Sequence, residues 1–102
     1  MHPVYLYKIL SVGDWGKSRE RVHLSSMDDA FIHLATKEQL PGILAKYWAN
    51  VPEYVMLKVE TEKLQGRLVF EANPGGVNKY YHLYDGKIPL AAVVESKIVR
   101  NM

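Results

Sequence analysis

The chain has no cysteine among its 102 residues, so it contains no disulfide, no thiol nucleophile and no thiolate metal ligand. It also has little excess charge, because 13 Lys and Arg stand against 11 Asp and Glu, and these are interspersed rather than gathered into a basic stripe. No apolar run approaches the roughly 20 residues of a membrane helix, and the first residues do not resemble a signal peptide. We therefore expect a cytoplasmic protein that binds neither a membrane nor nucleic acid.

The remaining composition is that of an ordinary folded domain. Hydrophobic residues make up 48% of the chain and charged residues 24%, which are typical values for a globular protein. A chain of this length is large enough for one hydrophobic core and too short for two. We predict a single domain over residues 1–102 and expect a monomer.

The apolar pattern predicts an α+β domain with five or six strands in a mostly antiparallel or mixed sheet. Strands are predicted at residues 4–10, 31–34, 54–60, 67–71, 80–84 and 93–99. The first of these carries only one charge, so it is expected to be a central strand covered on both faces. Residues 17–29 are polar without a clear period and are predicted to form a long irregular connection.

Two helices are predicted, one short and one long. Ser11 followed by Asp14 forms a capping-box pattern for the short helix, and Thr36 with Gln39 repeats that pattern for the long one. Pro41 has no backbone N–H to donate, so the long helix is expected to start one or two residues after Thr36. Its core-facing stripe is predicted to contain Leu40, Ile43, Leu44, Tyr47 and Trp48.

Two of the four histidines, His33 and His82, lie inside apolar strand-like segments. A buried histidine needs partners for its ring nitrogens, because an unpaired buried polar group costs about 1–3 kcal/mol. Each is therefore either a core histidine bonded within the protein or a residue of a ligand pocket that acts as an acid or base near neutral pH.

Other polar residues near these histidines have two interpretations each. Thr36 is expected to cap the long helix, where free N–H groups also attract an anion such as a phosphate or carboxylate. Glu71 ends a strand, so it either meets a ligand or forms an ion pair with Arg67 on the same face. Asp28 and Asp29 are expected to be solvated turn residues.

Metal binding and a serine triad have less support. His23, His33, His82 and Glu71 supply ligand types, yet no local spacing matches a metal site, and we predict none. Ser25 and Ser26 do not lie in a nucleophile-elbow context.

The order of these motifs resembles the domain of unknown function 952 family over nearly the whole chain. The residues that carry the resemblance are Val4–Leu10, Trp15, Phe31-Ile32-His33-Leu34-Ala35-Thr36 with Gln39, Leu57-Lys58-Val59, Glu71 and His82-Leu83-Tyr84. The chain departs from the family pattern at Ala30, Ala35, Phe70, Tyr81 and Asp85.

That family resembles in fold the NAD-using ADP-ribosyltransferase group, whose curved sheet is split by a ligand cleft. The resemblance implies an NAD-like or ADP-ribose-like nucleotide ligand, with His33 on a ribose hydroxyl and Thr36 and Tyr84 beside it. It further implies that Glu71 steadies a ribosyl cation and that His82 belongs to the same catalytic group.

Two functions follow as hypotheses. The first is an enzyme of ADP-ribosyl or related NAD chemistry that uses His33, Glu71 and His82. The second is a non-catalytic small-ligand or protein-binding module that retains the pocket without turnover, which the departures from the family pattern motivate.

Overall fold

The computed structural model describes residues 2–101, and its six antiparallel strands form two open three-stranded sheets. The strands are β1 Tyr5–Leu10, β2 Ile32–Leu34, β3 Glu53–Glu60, β4 Gln65–Ala72, β5 Lys79–Lys87 and β6 Val93–Arg100. One sheet has the order β1-β3-β6 and the other β2-β5-β4. The sheets are linked where Tyr7 and Ala35 exchange backbone hydrogen bonds of 2.8 and 2.9 Å. The predicted small α+β domain is thereby confirmed.

Strand alternation builds the core between the two sheets. Val55, Leu57 and Val59 of β3 are fully buried, as the alternating sequence predicts. Ile32 and Leu34 of β2 are 3% exposed and join the same apolar cluster from the other sheet. Because Ile32 and Leu34 of β2 face this cluster, the intervening His33 is directed to the other face of the sheet.

The prediction that the first strand is central was wrong. The central strand of its sheet is β3, which pairs with β1 on one side and β6 on the other. Along β1 the burial alternates, with Leu6, Lys8 and Leu10 buried and Tyr5 41% exposed. The aromatic residues made the segment look apolar on both faces, although only one face is fully covered.

The short helix α1 spans Val12–Gly16 and begins as predicted. The Ser11 side chain accepts a hydrogen bond of 3.0 Å from the Asp14 backbone N–H. The connection from residue 17 to residue 31 is irregular apart from isolated bridges and one 3₁₀ turn, Ser26–Asp28.

The second helical segment is less regular than predicted. It opens with a 3₁₀ turn, Lys37–Gln39, continues as the α-helix α2, Leu40–Ile43, and ends in a π turn, Leu44–Trp48. Pro41 lies in the first turn of α2, where its missing N–H costs least. Because the turns change type, a single apolar stripe does not run along the whole segment.

The predicted stripe of this segment is therefore only partly correct. Leu40 is buried and Ile43, Leu44 and Trp48 are half-buried, whereas Tyr47 is 58% exposed. Within residues 2–101, no helix has the length and apolar character needed to cross a membrane.

Candidate functional site

The register of β2 against β5 places His33 directly opposite His82. Directly paired residues of antiparallel strands have their side chains on the same face, and the two ring centroids are 5.5 Å apart. His33 is 41% exposed in its side chain, whereas His82 is fully buried. The two histidines that the sequence singled out therefore share one side of the sheet but have different access to solvent.

Both ring nitrogens of His82 have partners. Its Nδ1 lies 2.8 Å from Glu71 Oε2 and its Nε2 lies 2.9 Å from Asn73 Oδ1. The Phe31 ring stacks on the imidazole with centroids 3.9 Å apart and covers it from solvent. His82 thus satisfies the hydrogen-bonding requirement of a buried histidine within the protein.

Glu71 joins His82 to Tyr84. The Tyr84 hydroxyl donates a hydrogen bond to Glu71 Oε2, the same oxygen that meets His82. The hydrogen bonds from Tyr84 and then from His82 hold the pKa of the Glu71 carboxyl below its usual value. In turn, the hydrogen bond to Glu71 raises the pKa of Tyr84. Glu71 is accordingly an anion at neutral pH, with its side chain 35% exposed.

Arg67 does not form the ion pair with Glu71 that the sequence left open. Among the ion pairs of residues 2–101, none joins these two side chains. The Arg67 guanidinium instead lies over the Tyr84 ring, 4.9 Å from its centroid. Its charge still contributes to the lowered pKa of Glu71, behind the hydrogen bonds.

Asp28 corrects the sequence prediction most clearly. It was expected to be a solvated turn residue, yet its side chain is only 5% exposed. Asp28 Oδ1 lies 2.9 Å from His33 Nδ1 and accepts a 3.0 Å hydrogen bond from the His33 backbone N–H. The carboxylate of Asp28 therefore supports His33 directly. Asp29, by contrast, is exposed as expected.

The partner that keeps Asp28 buried is Lys8 of β1. Lys8 Nζ donates to both carboxylate oxygens at 2.9 and 2.8 Å and to the His33 carbonyl at 3.2 Å. Burial by itself raises the pKa of Asp28, but His33 and Lys8 together outweigh it and hold that pKa below its usual value. Burial lowers the pKa of Lys8, and the Asp28 carboxylate offsets part of this effect.

A cavity of about 560 Å³ opens beside His33. Its wall includes β1 from one sheet and β2 from the other, together with the helical segment and the loop after β4. The polar residues of the lining are Lys8, Ser11, Asp14, Ser25, Asp28, His33 and Asn73. Its aromatic residues are Tyr7, Tyr47, Trp48 and Tyr80. This volume and mixture of surfaces are typical of a small-molecule site.

The loop after β4 brings Asn73 to both the cavity and His82. The Asn73 carbonyl accepts a 2.8 Å hydrogen bond from the Gly76 N–H, and Gly75 has a φ of 78° that side-chain-bearing residues rarely adopt. This turn therefore fixes Asn73 at the cavity wall, within 2.9 Å of His82 Nε2.

The predicted site residues are only partly brought together. His33, His82, Glu71 and Tyr84 form one cluster, but only His33 among them lines the cavity. Thr36 does not line the cavity either. It caps the 3₁₀ turn Lys37–Gln39, and its N–H donates to Gln39 Oε1 at 3.0 Å. Its predicted capping position is confirmed, while its contact with a ligand stays a prediction.

Sequence reasoning missed Lys8, Phe31 and Asn73. The signal for Lys8 was its position as the lone charge in an apolar strand, since a buried ammonium requires an anionic partner. The identity of that partner, 20 residues away, depends on the fold. His23 lies apart from this cluster and is paired with Asp14 at 3.0 Å. No group of three potential metal ligands occurs among residues 2–101.

Comparison with solved structures gives a clear relative. The crystal structure of protein CC0527 from Caulobacter crescentus is 35% identical, with a TM-score of 0.77. The match covers 92% of this chain and 84% of that one. The solution NMR structure of CC0527 is 31% identical over 93% of this chain and 84% of that one, with a TM-score of 0.72.

No relative among the curated proteins matches the chain. The profile of one family, described as "Protein of unknown function (DUF952)", matches residues 9–96. That range contains His33, Glu71, His82 and the strands that carry them. The chain therefore belongs to the DUF952 family.

Proposed function

We propose that the cavity beside His33 binds a nucleotide of the NAD or ADP-ribose class and that the protein carries out ADP-ribosyl-transfer-type chemistry. The observation that carries the proposal is the position of His33 in the wall of a 560 Å³ cavity that is lined by β1 of one sheet and β2 of the other. A cleft between the halves of a split sheet is also the ligand site of the ADP-ribosyltransferase-like folds that the family resembles.

The cavity lining matches the parts of such a ligand unequally. Tyr47 and Trp48 offer aromatic surface for a planar base, and His33 offers a ring nitrogen for a sugar hydroxyl. The single Lys or Arg in the lining, among residues 2–101, is Lys8, which is already bound to Asp28. We therefore expect the base and ribose to contribute more to affinity than the pyrophosphate does.

The proposed chemistry assigns Glu71 to the developing positive charge of a ribosyl group. Glu71 is anionic at neutral pH, since its ordinary pKa of 4.5 is already well below 7 and Tyr84 and His82 lower it further, and a fixed anion stabilises a cationic transition state. His82 and Tyr84 orient its Oε2, while its Oε1 accepts no hydrogen bond from residues 2–101. His82 thus supports Glu71, and His33 binds the ribose.

Calorimetric titration with NAD, ADP-ribose and nicotinamide riboside tests the binding, and nicotinamide release from NAD tests the chemistry. We expect His33→Ala to weaken binding about tenfold, the effect of losing one good hydrogen bond. Glu71→Gln is expected to lower turnover at least a hundredfold with little change in Kd. His2→Ala, which replaces an exposed histidine outside the cavity lining, is the matched control. If the wild-type protein shows no binding and no turnover, the proposal is refuted.

A second function, ligand binding without turnover, is favoured by one observation. Glu71 does not line the cavity, although His33 does. The departures at Ala30, Ala35 and Phe70 from the family pattern support the same alternative. In this case His33→Ala weakens ligand binding, and no rate is measurable in any variant. Wild-type turnover that disappears in His33→Ala would eliminate the non-catalytic alternative.

A further inference from the structure

One carboxylate oxygen of Asp28 lies within hydrogen-bond distance of two nitrogens of His33. Asp28 Oδ1 lies 2.9 Å from the ring nitrogen Nδ1 and 3.0 Å from the backbone nitrogen of the same residue. The backbone nitrogen is an obligatory donor, so it fixes the carboxylate relative to the strand. The oxygen that bonds the ring of His33 is thus itself fixed by the backbone N–H of His33.

Lys8 bonds both of the residues in this arrangement, Asp28 and His33. Its ammonium bonds both oxygens of Asp28 and also the carbonyl oxygen of His33. The side chains of Lys8 and Asp28 are 6% and 5% exposed, so water competes little for these bonds. The Lys8-Asp28 pair therefore contacts His33 at its ring Nδ1, its backbone N–H and its carbonyl.

A carboxylate can only accept hydrogen bonds, so the ring nitrogen that faces it must donate. In a neutral imidazole the proton then resides on Nδ1, and Nε2 keeps a lone pair. Among residues 2–101, no side chain or backbone group bonds His33 Nε2. Two aromatic rings lie beside the imidazole, Phe31 at 4.7 Å and His82 at 5.5 Å between centroids.

We infer that Lys8 and Asp28 are positioning residues that fix the Nδ1–H tautomer of His33, so that Nε2 accepts a hydrogen bond from a ligand hydroxyl. The pair thereby selects ligands with an O–H donor, such as a ribose, over ligands that present only acceptors. The hydroxyl part of this inference rests on the proposed function, whereas the tautomer is a property of the free protein.

The tautomer is measured by long-range ¹H–¹⁵N NMR of the free, ¹⁵N-labelled protein at about pH 8.5, above the usual titration range of imidazole. We expect the Nδ1–H form for His33 in the wild type. In Asp28→Asn the new amide can donate to Nδ1, so the Nε2–H form is expected to gain population. Glu53→Gln, which removes an exposed carboxylate paired with Arg100, is the matched control and should leave the His33 signals unchanged.

If Asp28→Asn does not fold, the double variant Lys8→Met with Asp28→Asn removes both buried charges and serves instead. An Nε2–H tautomer in the wild type would overturn the inference. So would an Nδ1–H tautomer that persists in the folded Asp28 variants.

Binding measurements then test whether His33 accepts a hydrogen bond from a ligand hydroxyl. NAD is compared with its analogues that lack the 2′- or 3′-hydroxyl on the nicotinamide ribose. We expect the wild type to bind at least one deoxy analogue about tenfold more weakly than NAD and Asp28→Asn to discriminate less. Equal discrimination by both proteins would overturn the role of Asp28 in selection. If the wild type binds no nucleotide while His33 has the Nδ1–H tautomer, the proposed function fails and the tautomer assignment stands.

Discussion

His33 and His82 face each other across neighbouring strands, and each has a carboxylate on Nδ1, yet their environments are reversed. His33 is 41% exposed over a carboxylate that is 5% exposed, whereas His82 is fully buried beneath a carboxylate that is 35% exposed. The exposed member of each pair, His33 in one and Glu71 in the other, is the one that can meet a ligand. The buried member, Asp28 or His82, supports it. The two similar pairs therefore expose an imidazole in one case and a carboxylate in the other.

The counterions differ as well. Asp28 has a buried cation, Lys8, while the groups that bond Glu71 are the Tyr84 hydroxyl and the His82 ring. A buried carboxylate needs that cation, since an isolated buried charge is very costly. Glu71 keeps contact with water and does not need one. The region around His33 should therefore be the more sensitive of the two to the loss of a charge.

Lys8→Met is the strongest test of this difference. It leaves Asp28 buried without its cation, so we expect the free energy of unfolding to fall by about 3–5 kcal/mol, measured by urea denaturation. Lys63→Met is the control, because Lys63 is 54% exposed and lies 3.5 Å from Glu60. Its cost should stay below about 1 kcal/mol. Equal losses in the two variants would mean that the Lys8-Asp28 pair is not a buried ion pair in solution.

Replacement of each histidine by phenylalanine compares the two rings directly. His82→Phe keeps an aromatic ring against Phe31 but removes the hydrogen-bond partner that Asn73 and Glu71 share. We therefore expect the free energy of unfolding to fall by about 1–3 kcal/mol. His33→Phe leaves Asp28 bonded to Lys8 and to a backbone N–H, and its cost should be below about 1 kcal/mol. Denaturation of both variants under the same conditions checks the order. A larger loss of stability for His33→Phe than for His82→Phe would contradict the assignment of His82 as the supporting ring and His33 as the ligand-facing ring.

Acid denaturation should separate the carboxylates. The folded-state pKa of Asp28 lies below its ordinary value of 3.8, so the unfolded chain binds its proton more readily. The stability that Asp28 contributes is therefore fully present above about pH 3.8 and is lost as pH falls through the lower folded-state pKa.

We expect the stability difference between wild type and Asp28→Asn to shrink as pH is lowered below 3.8, with urea denaturation as the measurement. Glu53→Gln, which removes a carboxylate that is 43% exposed, is the control and should show a much weaker trend. A difference that stays constant at acid pH would contradict a lowered pKa for Asp28.

The sequence predicted the scaffold of this comparison better than its contacts. Alternation in residues 54–60 located β3, and the apolar flanks of His33 and His82 located two strands that prove to be neighbours. These are local patterns, and burial on one face enforces them. The second helical segment was predicted less well, because Pro41 and the change from 3₁₀ to π turns interrupt its period.

Asp28 shows why the site was harder to predict. Its neighbours in sequence, Met27 and Asp29, are exposed, and two serines precede them, so the local sequence favours a solvated turn. Its burial depends on Lys8, 20 residues earlier, and on the course of the irregular connection between them. Sequence patterns report the periodicity of an element, whereas a buried ion pair between two elements becomes visible only when their packing is known.

The smallest expected effect concerns the exposed carboxylate. The hydrogen bond to Glu71 raises the pKa of Tyr84 above its ordinary value of 10.0, because ionisation would put a phenolate against a carboxylate. We expect Glu71→Gln to lower that pKa toward 10.0, measured by ultraviolet difference titration. Tyr84→Phe is the control that identifies the Tyr84 signal among the seven tyrosines. If Glu71→Gln leaves the titration of Tyr84 unchanged, Glu71 is not bound to Tyr84 in solution. Glu71 then has still fewer hydrogen bonds than Asp28, and the difference between the two carboxylates is larger.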